Sequence, residues 1–473
     1  VRGLSLLAAI MIVIGSMLGS GIFRKPATMA GQLLSPELLL LVWIVAGIVS
    51  FIGALTNSEI SGMIDETGGQ YAYFRIMYGD FVAFLYGWAT LSVIQTGSQA
   101  AIAYVFSEYL GYFFHYPHFS KGIEQIAVYM PLVGDIYPLK DFGTKAVAIL
   151  CLGFLTFVNY IGVIFGGAVQ TLITIVKIAS IIILAFLILL LGNGTFANVY
   201  TGFNIPQQSH NIFSMIGLAL AGAFWAYDGW NNVTYVSGEV KNPKRNVPLA
   251  LLTGTFAVIV IYVLINIAFL YVLPINVMAK SPLVAASAAE FIFGPVGASI
   301  ISIAVIISTF GALNGSILST ARVMFAMART KLFFKSLGWV HDKYKTPHIS
   351  LAVMGTWSGV LVLTGSFDII TDYVMFAAWL FYALGAYGVF VLRKKMPDAH
   401  RPYRVWGYPF TPAVFVIFSI VFLFNTLISE TQNAKMGLVL IFSGVPLYFY
   451  MKWKSKNEKT KNEEAAVVSV EDK

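Results

Sequence analysis

Apolar runs of about 20 residues, the length a helix needs to cross the hydrocarbon core, recur along nearly the whole chain. They predict twelve spans, at 4–31, 37–62, 80–110, 144–166, 169–192, 211–238, 247–274, 294–328, 348–366, 370–393, 410–429 and 435–452. Polar and charged residues gather in the connections and after 452, and no soluble domain interrupts the body. The longest predicted exterior connection, 111–143, mixes aromatic, proline and charged residues and has room for a short surface helix. The expected fold is therefore an all-α integral membrane bundle. Its first run reads as a span and not a removable leader, because it lacks a cleavage pattern of small residues.

Two runs are broken. The first carries Ile14-Gly15-Ser16-Met17-Leu18-Gly19-Ser20-Gly21-Ile22-Phe23, three glycines and two serines inside a membrane helix. The second, Trp225-Ala226-Tyr227-Asp228-Gly229-Trp230, interrupts the sixth span. Small residues also permit close helix packing, and Gly15 with Gly19 alone would fit that explanation. Five small residues within seven positions, followed by a second break, favour a binding site instead. Broken backbone leaves N–H and C=O groups that hydrocarbon does not satisfy, so they must face protein, water or a substrate. The breaks lie five spans apart, and an odd-numbered unit that repeats must insert in opposite orientation. The organisation expected is two inverted five-span units, 1–192 and 211–393, then two spans at 410–452 and a disordered cytoplasmic tail at 453–473.

Composition supports the membrane reading: 58% of residues are hydrophobic and 11% charged, with mean hydropathy +0.78. The net charge of +8 is not a nucleic-acid signal, because its residues cluster on one side of the spans. Lys241, Lys244 and Arg245 follow span six, Arg329 to Lys345 follow span eight, and Arg393 to Arg404 follow span ten. The positive-inside rule makes that side cytoplasmic, with both termini inside and the chain in the plasma (inner) membrane. Arg24, Lys25, Lys121, Lys140, Lys145, Lys280 and Lys435 fall on the other side. Cys151, the one cysteine, lies in the fourth span; the sequence offers no Cys/His metal cluster and no catalytic constellation in its spans. No metal, cofactor or enzymatic activity is expected.

The breaks suggest their own chemistry. An outer half-helix beginning near Ser20 offers free N–H groups and a positive dipole end to a carboxylate. Carbonyls ending the inner half, with those near Trp225, suit an ammonium. A free amino acid carries both groups. Lys177, about nine residues into span five and so roughly 13 Å deep, is costly in a membrane unless it faces a cavity or snorkels to the interface. Asp228 is expected to cap the following half-helix. Glu59 reads as a helix-packing or loop-anchoring carboxylate near the interface, Glu239 as a cytoplasmic loop anchor, and Ser308, Thr309 and Asn314 as polar groups that either line a pathway or bond back to their own helix.

Several stretches resemble the amino acid–polyamine–organocation superfamily, and within it the L-type amino acid transporter group. They are Ile14–Phe23 (IGSMLGSGIF), Gly53–Tyr73 with GGQYAYF, Phe224–Pro248, Ser308–Ala321 (STFGALNGSILSTA) and Arg401–Pro409 (RPYRVWGYP), in order over most of the chain. The resemblance implies a five-plus-five inverted-repeat fold with discontinuous helices one and six, sodium-independent amino acid transport and, commonly, obligatory exchange. It also implies residue roles. Amides of Ser20 and Gly21 would hold the substrate carboxylate, and carbonyls of Met17, Trp225 and Asp228 the ammonium. Trp225 would gate, Asn231 would be the polar side chain after the second break, and Lys177 with Ser308 and Thr309 would occupy the place where sodium-coupled relatives hold a cation. Departures exist: Asp228 stands where many animal members have glycine, and Gln95-Thr96 replaces an Arg-Pro pair. The 111–143 loop lacks the cysteine that links animal light chains to a heavy chain, so no disulfide-linked partner is expected and the chain reads as prokaryotic-like.

The expectation is a sodium-independent transporter of small neutral L-amino acids that exchanges them by alternating access. A proton-coupled symporter with Lys177 as carrier is the alternative; a receptor without flux finds no signalling domain in the sequence.

Overall fold

The computed structural model describes residues 3–64, 68–162, 167–202, 212–329 and 333–471, and most of that length is helix. The end of the fourth predicted span (163–166), the first residue of the sixth (211), and Lys331 lie outside the described residues. Helix α1, Leu6–Met17, opens on Ser5, whose hydroxyl accepts the Ala8 amide at 3.2 Å. It stops at Leu18, and α2, Gly21–Leu33, resumes the crossing after Ser20. Ser35 caps α3, Pro36–Met63, with proline in the first turn where its missing N–H costs nothing. After α4 (Gln70–Tyr78), α5 (Asp80–Ala89) runs through a π-turn at Thr90–Ile94 into α6 (Gln95–Leu110).

The connection that follows holds the short helix α7 (Lys121–Glu124) and an antiparallel hairpin, β1 (Val128–Met130) with β2 (Gly134–Ile136). Next come α8 (Phe142–Tyr160) and α9 (Gly167–Leu191). Helix α10, Ile212–Tyr227, ends at the second break, and a 3-10 helix at Asn232–Glu239 leads to α11 (Pro243–Val272). The remaining helices are α12 (Ile275–Met278), α13 (Val284–Arg329), α14 (His348–Thr364), α15 (Phe367–Lys395), α16 (Phe410–Ser429), α17 (Thr431–Phe442) and α18 (Gly444–Glu471). Helix α13 bends at Gly294, φ 62°, immediately before Pro295.

Among the described residues, ten helical stretches are long and apolar enough to cross a membrane. The predicted runs at 80–110 and 348–366 stand outside that ten. The first is divided by its π-turn and the second is a 17-residue helix. Residues 453–471 continue as helix at the end of α18. The reason is local. Lys, Glu and Ala are strong helix formers, and a helix already nucleated in the preceding turn propagates at little cost.

One continuous apolar core holds the bundle around the breaks. Helix α11 packs along α3 and α1, where Gly254 lets the α11 backbone approach Val13. Trp43, Tyr227 and Tyr262 form an edge-on aromatic cluster with centroids 5.0–5.8 Å apart, and the Tyr227 hydroxyl donates to the Trp43 carbonyl at 3.2 Å.

Near the end of α3, Glu59 is 1% exposed. It takes two bonds from Arg393 (2.9 and 2.7 Å) and one from the Val405 amide (2.7 Å), with the Arg401 Nε 3.3 Å away. It thus anchors the 401–409 segment, the role read for it from the sequence. Glu59→Ala strands two guanidinium groups and an amide, and should cost roughly 3 kcal/mol. The expected result is a clearly lower melting temperature of the detergent-solubilised protein; an unchanged one would remove the anchoring role.

Candidate functional site

The two breaks touch. Gly229 has φ +94°, a conformation that favours glycine, and a Cβ on it would sit 3.1 Å from Ser16. A Cβ on Gly21 would come within 2.5 Å of the Ala226 Cα, so α2 starts directly against the end of α10. Glycine is needed at both positions, at one for backbone conformation and at the other for room.

The unwound turns expose the groups expected of them. Helix α2 begins at Gly21, so the amides of Gly21 and Ile22 lie in a first turn that offers no intrahelical acceptor. On the opposite side, the Met17 carbonyl accepts the Gly19 amide at 2.7 Å and faces the Tyr262 hydroxyl at 2.5 Å. That hydroxyl lies 2.9 Å from the Ala226 carbonyl as well, so one buried tyrosine of α11 spans both broken helices. A single hydroxyl proton serves one carbonyl at a time. The Trp225 carbonyl accepts the Asp228 amide at 3.2 Å. The Trp225 carbonyl keeps a second lone pair for a ligand, and the Met17 carbonyl does so when the Tyr262 proton turns to Ala226.

A cavity of about 210 Å³ runs from the breaks along α1 towards Leu4. Its wall includes Gly19, Ser20, Gly21, Trp225, Asp228 and Asn314. At the far end of this passage the chain is stapled: the Leu4 amide donates to the Glu239 carbonyl at 2.9 Å, and the Lys241 amide to the Leu4 carbonyl at 2.8 Å. At the other end the Trp225 ring lies edge-on to Phe367, centroids 5.9 Å apart, with Phe367 buried.

Of the residues chosen from the sequence, Met17, Ser20, Gly21, Trp225 and Asp228 line this one cavity. Asn231 is not in its wall. It is 1% exposed, its backbone carbonyl accepts the Thr234 amide, and its neighbour Asn232 lines the cavity instead. The Asp228 carboxylate accepts the Tyr382 hydroxyl at 2.6 Å, bonding across to α15. Lys177 reaches the first break from α9, its Nζ 3.5 Å from the Leu18 carbonyl. Lys177 and Ser308 line a second, apolar crevice between α9 and α13, and among the described residues the buried Ser308 hydroxyl has no hydrogen-bond partner. The Thr309 hydroxyl is already committed, donating to the Val305 carbonyl at 2.8 Å.

Sequence reasoning missed Tyr262 and Ser98, and named Gln95 without being able to establish its facing. Tyr262 sits in an unbroken apolar run with nothing to distinguish its hydroxyl from that of a core tyrosine. Gln95 and Ser98 line the cavity just beyond the π-turn, whose extra residue per turn shifts the facing of α6 in a way that no 3.6-residue period anticipates.

A multi-pass helical membrane protein with two touching helix breaks around a central cavity has the build of a transporter and not of an enzyme. Residues 4–448 match the model of the amino acid permease family, and the chain belongs to that family. It is similar to the serine/threonine exchanger SteT of Bacillus subtilis (strain 168), 31% identical over 454 residues that cover 95% of this chain and 97% of the relative. It is also similar to the b(0,+)-type amino acid transporter 1 of Mus musculus, 32% identical over 452 residues (95% and 87%). A further relative is the mouse large neutral amino acids transporter small subunit 2, 31% identical over 466 residues (96% and 82%). The superfamily resemblance read from the motifs is thus borne out.

Proposed function

We propose that this amino acid transporter is a sodium-independent exchanger of small neutral L-amino acids, working by alternating access around the two breaks. The observation that carries the reading is the contact of the breaks across one cavity. First-turn amides of α2 face it from one side, and the carbonyl ends of α1 and α10 from the other. In this reading the Ser20 and Gly21 amides hold the substrate carboxylate. The carbonyls of Met17, Trp225 and Asp228 take its ammonium, and the Trp225 ring closes over it. Asn231 supports the second break from behind, while Asn232, Gln95 and Ser98 meet the side chain.

The exchanger reading draws support from SteT, whose name states exchange of serine and threonine. The predicted placement of positive charge puts both termini in the cytoplasm and the chain in the plasma membrane. The cavity, which reaches Leu4 and Glu239, then opens inward. The 1–192 and 211–393 units act as the two inverted repeats, each contributing one break. With no cysteine in 111–143, the chain works without a disulfide-linked heavy chain.

Proteoliposomes loaded with unlabelled amino acid and given labelled serine, threonine, alanine or leucine test the reading. Uptake that requires internal substrate and is indifferent to sodium and to a pH gradient is the expected result. Uptake into empty vesicles that follows a proton gradient would favour the second reading, a proton-coupled symporter. The feature that keeps that reading alive is Lys177, whose ammonium among the described residues has one long contact, 3.5 Å from the Leu18 carbonyl.

A further inference from the structure

The end of the cavity opposite its Leu4 mouth is closed by charge as well as by aromatic rings. Arg24 and Lys25 are the fourth and fifth residues of α2, a few positions past the break. Lys25 is 1% exposed, and its Nζ lies 2.8 Å from Asp368 Oδ1 and 3.9 Å from Asp372 Oδ1, both on α15. Arg24 pairs at 3.2 Å with Glu108 near the end of α6 and at 3.7 Å with Asp368. Thr28, one turn further along α2, donates to Asp368 at 3.2 Å. Two cations on one half of a broken helix thus meet three carboxylates on two other helices.

Beneath this layer sits Phe367, the residue before Asp368. The Lys25 ammonium lies 5.0 Å from its ring centroid and the Arg24 guanidinium 5.9 Å, while its edge faces Trp225 in the cavity wall. From the cavity outwards the order is Trp225, Phe367, then the ion pairs. The sequence gives Arg24 and Lys25 no role beyond two positive charges on the minority side.

We propose that Arg24 and Lys25, paired with Glu108, Asp368 and Asp372, form the lock that holds this face of the transporter shut while the cavity is open at Leu4. The inference rests on the alternating-access reading, but its test does not depend on which amino acid is carried. For the cavity to open on the other face, α2 must part from α15 and α6. That motion breaks the Lys25–Asp368 and Arg24–Glu108 pairs and uncovers Phe367. Burial makes the pairs effective as a lock: once parted, Lys25 must find either water or another carboxylate. The lock therefore weights the resting equilibrium toward the conformation described.

The test is side-specific labelling. Ile102, on α6 in the cavity wall, becomes the reporter as Ile102→Cys in a Cys151→Ala background. A membrane-impermeant maleimide is applied to each face of oriented proteoliposomes. With the lock intact, labelling proceeds mainly from the face nearer Leu4. Asp368→Asn with Lys25→Gln should raise the labelling rate from the opposite face about tenfold and lower it from the first. Lys25→Arg, which keeps a cation beside Asp368 and Asp372, should retain the original asymmetry if charge, and not mere bulk, holds the face closed. Unaltered labelling from both faces in the neutralised protein would overturn the lock, and so would Lys25→Arg protein that labels like the neutralised one. Either failure leaves the proposed substrate untouched, because exchange of labelled amino acid is scored separately.

Discussion

Gly21→Ala is expected to cut amino acid exchange about a hundredfold while the protein still inserts and folds. The added Cβ would lie 2.5 Å from the Ala226 Cα, 2.7 Å from its Cβ and 3.1 Å from its amide nitrogen. Two of these three atoms are backbone, so no rotamer change relieves the contact. The ends of α2 and α10 must separate by roughly an ångström to regain ordinary van der Waals distance. That separation falls between the groups proposed to hold the two ends of the substrate, the α2 amides and the carbonyls of the second break. A 1 Å misplacement of positioning groups is enough for a loss of about 10²-fold. Gly31→Ala is the control on the same helix. Its Cβ would meet only the Ala279 Cβ at 3.8 Å, an ordinary contact remote from the breaks, so exchange should remain close to that of the unmodified protein. Equal losses in both variants would mean that α2 is merely intolerant of added volume. Counterflow of labelled substrate, normalised to the amount of folded protein, is the measurement.

The contrast between Gly21 and Tyr262 explains how much of this molecule was legible in its sequence. Bundle and breaks were readable because each follows from a local rule. Long apolar runs must be helical in lipid, and clustered glycines release the helix at little cost. The amide end near Ser20 and the carbonyl end near Trp225 follow from where the helices stop, Met17, Gly21 and Asp228 were implied by the family resemblance, and all five emerge together in one cavity wall. Tyr262 was not readable, because its importance depends on which carbonyls happen to lie opposite it across a helix interface. Asn231 was displaced in favour of Asn232 by a similar limit: after a break the 3-10 turn rotates 120° per residue, and a one-residue error in facing selects the wrong neighbour. The ion pairs at Arg24 and Lys25 were invisible for the same reason, since Asp368 is more than 340 positions away in the chain. Glu59, by contrast, was read as an anchor because a carboxylate close to a helix end on the positively charged side has few other roles.

The other large effect is expected at Lys177. Its ammonium approaches the Leu18 carbonyl where α1 ends, and the end of a helix carries a partial negative charge. A cation in such a partly buried position contributes up to about 2 kcal/mol, which at about 1.4 kcal/mol per tenfold corresponds to roughly thirtyfold in a rate or affinity. Lys177→Met keeps most of the side-chain volume and removes the charge, so exchange should fall by at least about tenfold. Lys177→Arg should retain part of it, because a cation remains even though the planar fork fits the apolar crevice less well. The same variants separate the two proposed modes of coupling. If the charge is fixed and stands in for a coupling ion, Lys177→Met lowers exchange equally at all pH values, and the unmodified protein exchanges without regard to a pH gradient. If Lys177 gives up and regains a proton in each cycle, Lys177→Met should abolish accumulation driven by a proton gradient while sparing exchange between equal pools. Lys177→Met protein that keeps both full exchange between equal pools and full accumulation driven by a proton gradient would take the lysine out of the transport cycle and leave the apolar crevice beside it as a packing feature between α9 and α13.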